Sequence, residues 1–174
     1  LTFIKTMKNK CYEETLIIKE DYRKSKINQN ERYYFPLNET TNFKVNKLFR
    51  KLTKKKIKKK KILLIKGRKF DIKNFYDGIA RFDFKDLCKK NIGAEDYIKI
   101  AESCNFIIIE NLPGFNDYNS DQQQRFITLI DIIYEKKISL AVSSICSLEN
   151  LSSAKSLLKP FKRTTSRLYA LTSR

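Results

Sequence analysis

Two unbroken apolar runs constrain this chain more than anything else in it. FIII at 106–109 and ISLAVS at 138–143 lack the polar alternation of a half-exposed strand, so each is expected to be a strand covered on both faces. Between them, residues 120–136 carry Phe126, Leu129, Ile130, Ile133 and Tyr134 at helical spacing, which predicts a long crossover helix. A helix over about 94–104 is expected to lead into the first run, and SLENLSSAKSLL after the second reads as another. This αβαβα order predicts an α/β fold with a parallel sheet and right-handed crossovers.

Upstream the rhythm differs. GIARFDF at 78–84 alternates as a strand should, and KILLIKGRKFDI holds two apolar runs hinged at Gly67 and Arg68, the pattern of a β-hairpin or of a strand with a bulge. Asn38 is placed to cap a helix through about Thr53 whose apolar positions are Phe43, Val45, Leu48, Phe49 and Leu52. RYYFPL at 32–37 is strand-prone and closed by Pro36; residues 13–18 read as a short strand, and 1–10 as the end of a helix. The chain opens on Leu1 in mid-pattern, without a signal-peptide layout, and reads as a piece of something longer. No apolar run approaches the length of a membrane span.

The formal net charge is +18, from 37 basic and 19 acidic residues, and only nine of the basic residues are Arg. The densest run is Lys54, Lys55, Lys56, Lys58, Lys59, Lys60 and Lys61, with Ile57 inside it. Like charges this close repel, so the segment is expected to be extended and exposed. Two readings stand: a solvated connector in a chain rich in Lys, Ile and Asn, as A+T-rich coding drives, or a contact for nucleic acid or an anionic membrane.

Other chemistries are poorly supplied. There is no His, and Cys11, Cys88, Cys104 and Cys146 form no C-x-x-C pair, which argues against a zinc site and a Ser or Cys triad and for buried free thiols. Asp86, Glu95 and Asp96 suit helix N-termini. Tyr33, Tyr34 and Phe35 offer rings for base stacking, although Pro36 and Leu37 beside them favour a packed strand. Glu110 closes the FIII run as the acid of a Walker B strand would, yet no G-x-x-x-x-G-K-[ST] loop occurs in the 174 residues.

GIARFDFKDLC, GAEDYIKIA, IIIENLPGF, QQRFITLIDIIYEKKISLAVSS and FKRTTSRL, preceded by DYR, YYFPL, LFRKLT and GR, occur in the order seen in one family. The chain resembles the C-terminal half of the ZapE-type cell-division ATPases, P-loop proteins with an AAA-like core whose mitochondrial relatives act in inner-membrane protein quality control. In that family the Walker A lysine, the Walker B acid and a sensor strand precede the segment matched by Leu1. Departures lie at Ile72 and Lys73, where the family has Val-Pro, and at 170–173.

The resemblance implies a degenerate P-loop-like or AAA-like half preceded by a small α+β lobe. Residues 1–53 become the tail of the ATPase core and that lobe, 54–61 a basic linker, and 62–174 a β-hairpin plus the αβαβα unit. The FIIIE strand becomes a degenerate second copy of the core's strand, with Glu110 ending it rather than holding metal. The complete protein is then expected to bind ATP and Mg²⁺, and this chain alone neither. Its partners become the upstream nucleotide-binding half and a division-ring protein, and its place the cytoplasm, peripheral at the inner membrane, with the mitochondrial matrix as the alternative. Arg163 and Arg167, four apart on one helical face, are the first candidates for an arginine finger or sensor, then Arg81 and Arg125. The competing roles are structural: Arg163 pairing with carboxylates, Arg125 on a solvated face, Arg81 bracing a lobe boundary. Outside the ATPase class, the chain reads as a stand-alone polyanion-binding module or a non-catalytic adaptor.

Overall fold

The computed structural model describes residues 32–90 and 92–173. The expected helix end at 1–10, the strand at 13–18, DYR and Cys11 lie outside the described residues. Along the described chain run β1 (Tyr33–Tyr34), α1 (Glu39–Thr53), β2 (Lys61–Ile65), β3 (Arg68–Ile72), β4 (Asn74–Tyr76), β5 (Ile79–Asp83) and α2 (Phe84–Cys88). They are followed by α3 (Ala94–Ser103), β6 (Phe106–Leu112), α4 (Ser120–Glu135), β7 (Ser139–Ser144) and α5 (Leu158–Thr172).

The fold is α/β with a mostly parallel sheet flanked by helices, in strand order β1-β7-β6-β5-β4. β5, β6, β7 and β1 are parallel, and β4 adds one antiparallel edge. The two apolar runs form β6 and β7 at the centre, and their lack of alternation has the expected cause. Ile107, Ile109, Leu140 and Val142 enter the large core, while Ile108 and Ala141 meet Val45 of α1. In the large core Phe84, Phe115, Phe126 and Phe161 form a chain of ring contacts with centroids 5.4–5.9 Å apart, which joins α2, α4 and α5 through the β6–α4 loop.

β1 is built into the same sheet as the C-terminal half, with Tyr33 opposite Val142 and Tyr34 opposite Ser143. α1 starts as expected, the Thr41 N–H donating to Asn38 Oδ1 at 2.8 Å. Phe43, however, is exposed, because it sits two residues from Val45 and so on the opposite side of the helix. Of the two readings of KILLIKGRKFDI, the hairpin forms, β2 and β3 turning at Gly67, whose φ is +77°. It docks on α3 by ion pairs, Arg68 to Asp96 at 3.2 Å and Lys66 to Glu95 at 2.8 Å.

Three expectations are corrected. The GIARFDF strand stops at Asp83, whose carboxylate accepts the Lys85 N–H at 2.8 Å and so starts α2 at Phe84. RYYFPL contributes only two strand residues. SLENLSSAKSLL is a loop with a single 3₁₀ turn, Lys155–Leu157, and the helix begins at Leu158 instead. Pro160 is tolerated there because it lies in the first turn, where a backbone N–H has no helical acceptor. Among the described residues, no helix is long and apolar enough to cross a membrane.

Candidate functional site

The carboxyl ends of parallel strands are where open α/β sheets assemble chemistry, and here β5 ends at Asp83, opposite Glu110, which lies two residues before the end of β6. Two residues earlier, on the same face of β5, Arg81 reaches across to β6. Its Nη2 donates to Glu110 Oε1 at 2.7 Å and its Nε to Oε2 at 2.5 Å. The third corner of the guanidinium, Nη1, donates to Asn46 Oδ1 at 2.9 Å, and the group lies 5.1 Å from the Phe49 ring centre. Both charged heads are about four-fifths covered, at 19% and 18% exposure. The Arg81 fork therefore ties α1, β5 and β6 together, and both oxygens of Glu110 are already occupied.

Beside this pair the strand breaks register. A bulge between Ile109 and Leu112 puts Asn111 at φ +60°, a left-handed conformation that Asn tolerates better than most residues. The Asn111 side chain donates to Asp83 Oδ2 at 2.6 Å and its backbone N–H to Ser143 Oγ at 3.2 Å. A cleft of about 380 Å³ opens next to these groups, lined among others by Phe70, Arg81, Asp83, Asp86, Lys90 and Glu110. It is mixed in charge, and Asp86 and Lys90 already pair at 2.7 Å.

The turn from β6 into α4 is packed rather than open. In a phosphate-binding unit the loop between strand and helix would cradle the anion on backbone N–H groups. Here the β6–α4 loop has Gly114, but a Cβ at that position would come within 3.0 Å of Ser152 Oγ, so the glycine permits loop-on-loop packing. The start of α4 is closed over by the β7–α5 loop. Asp117 accepts the Lys155 N–H at 2.8 Å, and the buried Gln123 bridges to Ser153 Oγ at 2.6 Å and the Ala154 N–H at 2.9 Å. No cluster of three or more potential metal-ligating side chains exists among the described residues.

The remaining arginines are brought together differently. Arg163 and Arg167 on α5 both grip Asp131 of α4, Nη2 to Oδ2 at 2.7 Å and Nη1 to Oδ1 at 2.5 Å. The second contact is an ion pair without hydrogen-bond alignment, and the Arg167 guanidinium also lies 4.9 Å from the Tyr134 ring centre. Arg163 is the more exposed, at 57%. Arg125 caps the end of α2 by donating to the Cys88 carbonyl at 3.1 Å, and pairs with Asp121 at 2.8 Å. Its fork holds Asp121's carboxyl below the usual range.

Of the lysine run, Lys54 and Lys55 turn out of α1, residues 56–60 form no regular structure, and Lys61 enters β2. Lys56 and Lys59 approach Asp77 at 3.9 and 3.6 Å, the Lys59 N–H donates to the Phe75 carbonyl at 3.0 Å, and the Lys61 ammonium lies 5.8 Å from the Phe75 ring centre. Cys88 and Cys104 are buried free thiols, as expected, with burial pushing both up to about 12; Cys146 is free and half-buried. Asn46, Asn111, Asp131 and Ser143 escaped the sequence reading. Each acts on a residue distant along the chain, and no local spacing marks such a pairing.

The mostly parallel sheet with its one-sided crossover helices defines a P-loop-like α/β unit, in which the β6–α4 turn is packed and the arginines are held by carboxylates. The chain belongs to the AFG1-like ATPase family, whose model matches residues 1–174. It is 30% identical over 152 residues to lactation elevated protein 1 homolog B of Danio rerio, covering 86% of this chain and 30% of that protein. It is 26% identical over 153 residues to the cell division protein ZapE of Escherichia coli K12, covering 88% of this chain and 41% of that one. A Schizosaccharomyces pombe protein, C115.02c, is 32% identical over 78 residues, 45% of this chain and 17% of its own length. The chain thus spans less than half the length of these relatives. No solved structure matches it.

Proposed function

We propose that this chain is the C-terminal portion of an ATPase that, joined to an upstream P-loop half, binds ATP and Mg²⁺ and uses hydrolysis to act on a protein partner. The observation that carries this reading is the family match over all 174 residues in a chain whose sequence holds no phosphate-binding loop. The name of the bacterial relative supports a partner in cell division, with membrane-associated quality control as the other setting. The corresponding locations are the cytoplasm, at the inner face of the membrane, or the mitochondrial matrix.

Within this reading the exposed Arg163 faces the nucleotide of the upstream half, and Arg167 and Asp131 hold α5 in place so that it can. An arginine at the transferring phosphoryl group contributes through its fixed positive fork. The test compares ATP turnover by the 174-residue chain with turnover by the chain extended upstream through a glycine-rich Lys-Ser/Thr loop. Only the extended protein should turn over, and Arg163→Ala should lower its kcat by about 10³-fold. Turnover by the 174 residues alone, with contaminants excluded, overturns the reading. A full-rate Arg163→Ala enzyme overturns the assignment of the arginine.

The second reading, a basic module that grips a polyanion independently of nucleotide, is favoured by the exposure of Lys54, Lys55, Lys58, Lys59 and Lys60. Salt-dependent binding unaffected by ATP, in a chain that no upstream extension activates, supports it.

A further inference from the structure

We infer that the β2–β3 hairpin and the lysine segment leading into it form a docking surface for an anionic lipid membrane. The inference rests on this region alone and is independent of the nucleotide reading. Residues 54–72, the lysine segment and the whole hairpin, contain nine Lys and one Arg against a single acid, Asp71, which stands opposite Ile62 in the ladder. Four of these cations are used within the fold: Lys56 and Lys59 at Asp77, Lys66 at Glu95 and Arg68 at Asp96. Lys54, Lys55, Lys58, Lys60 and Lys69 are all exposed and make no ion pair among the described residues, although Lys69 borders the cleft that Asp83, Asp86 and Glu110 line.

The hairpin also presents apolar side chains to the outside. Ile65 and Ile72 are buried, and Leu63 and Phe70 pack against the core, while the alternate positions Ile62 and Leu64 point away with 46% and 70% of their surface exposed. Leu64 is paired with Lys69 in the ladder, so an aliphatic side chain and an unpaired ammonium share the outer face. Ile57, five residues before Ile62 and within the lysine run, is 74% exposed.

Aliphatic side chains beside unpaired lysines match a bilayer interface, where the apolar tips enter the acyl boundary and the ammonium groups gather lipid phosphates. A nucleic-acid surface would draw on rings for stacking and on Arg forks for phosphates and bases. Residues 54–69 contain no aromatic residue, and their one Arg is committed to Asp96.

The experiment is flotation of the full chain with vesicles of phosphatidylcholine alone and of phosphatidylcholine mixed with phosphatidylserine, with labelled duplex DNA as the competing ligand. Binding to the mixed vesicles only, weakened by salt, is expected. Replacing Lys54, Lys55, Lys58 and Lys60 by Gln should lower partitioning about a hundredfold or more. Ile62→Ser with Leu64→Ser should lower it about tenfold at unchanged charge. Ile57→Ser lies outside every strand, so it tests the apolar contribution without touching the hairpin's fold. Failure to bind the mixed vesicles overturns the inference. So does binding that ignores all three Ser substitutions, or DNA that displaces the chain from vesicles and is itself lost on the Lys→Gln changes, which would make the surface a nucleic-acid patch.

Discussion

Arg81 concentrates the site's interactions in one side chain, a bidentate contact to Glu110, one hydrogen bond to Asn46 and a ring contact to Phe49. Removing it strands a largely covered carboxylate on β6, two residues before its end. Arg81→Ala is therefore expected to destabilise the chain by about 2–3 kcal/mol, read from urea unfolding. Adding Glu110→Ala should recover part of that, and a double-mutant cycle should give a coupling of about 1–3 kcal/mol. A coupling near zero would mean that the pair is incidental. The thiols make a second prediction. An unfolded Cys ionises near pH 8.5, whereas folded Cys88 and Cys104 ionise only at about 12, so on raising the pH the unfolded state loses its protons first. The stability these burials contribute is present in full below about pH 8.5 and declines from there towards 12. At pH 8, site-resolved mass spectrometry after thiol labelling should find Cys146 modified well before Cys88 or Cys104. Little of this was legible in sequence. Arg81 could be picked out as a candidate, but its partners lie 29 and 35 residues away, and nothing in the spacing of Asn46 or Glu110 points to it.

At the scale of the element, α4 and α5 are held together by one carboxylate between two guanidinium groups, Asp131 with Arg163 and Arg167. Asp131→Ala should cost about 2 kcal/mol because it leaves the partly covered Arg167 charge without its partner. Arg163→Ala, at the exposed end, should cost no more than about 1 kcal/mol. Equal losses in chemical unfolding would contradict this division between anchor and free end. Asn38→Ala removes the cap of α1 and should cost about 1 kcal/mol, with Asn38→Ser retaining most of the stability. The elements themselves were largely readable. Apolar spacing found α1 and α4, α3 was placed ahead of the first apolar run, and Asn38 and Gly67 marked the start of α1 and the turn of the hairpin. The failures share a cause: Asp83 both ends a strand and starts a helix, and SLENLSSAKSLL looks helical when the contacts of Ser153 and Ala154 to Gln123 and of Lys155 to Asp117 are not seen.

For the whole molecule, sequence by itself determined the α/β class, the central parallel pair and the family. Two consecutive strands with continuous apolar stretches, joined by an amphipathic helix, admit few other burials, and the family's motifs keep their order along the chain. Tertiary structure alone decided that β1 pairs with β7 in one sheet, that α1 covers the face carrying Ile108 and Ala141, and that Arg81, Arg163 and Arg167 are each held by a particular carboxylate. It also decided which side of the β2–β3 hairpin looks outward. The physical reason is range: periodicity and capping act over one or two turns and are written locally. Ion pairs, sheet order and exposed faces depend on which distant segments the closed core brings together.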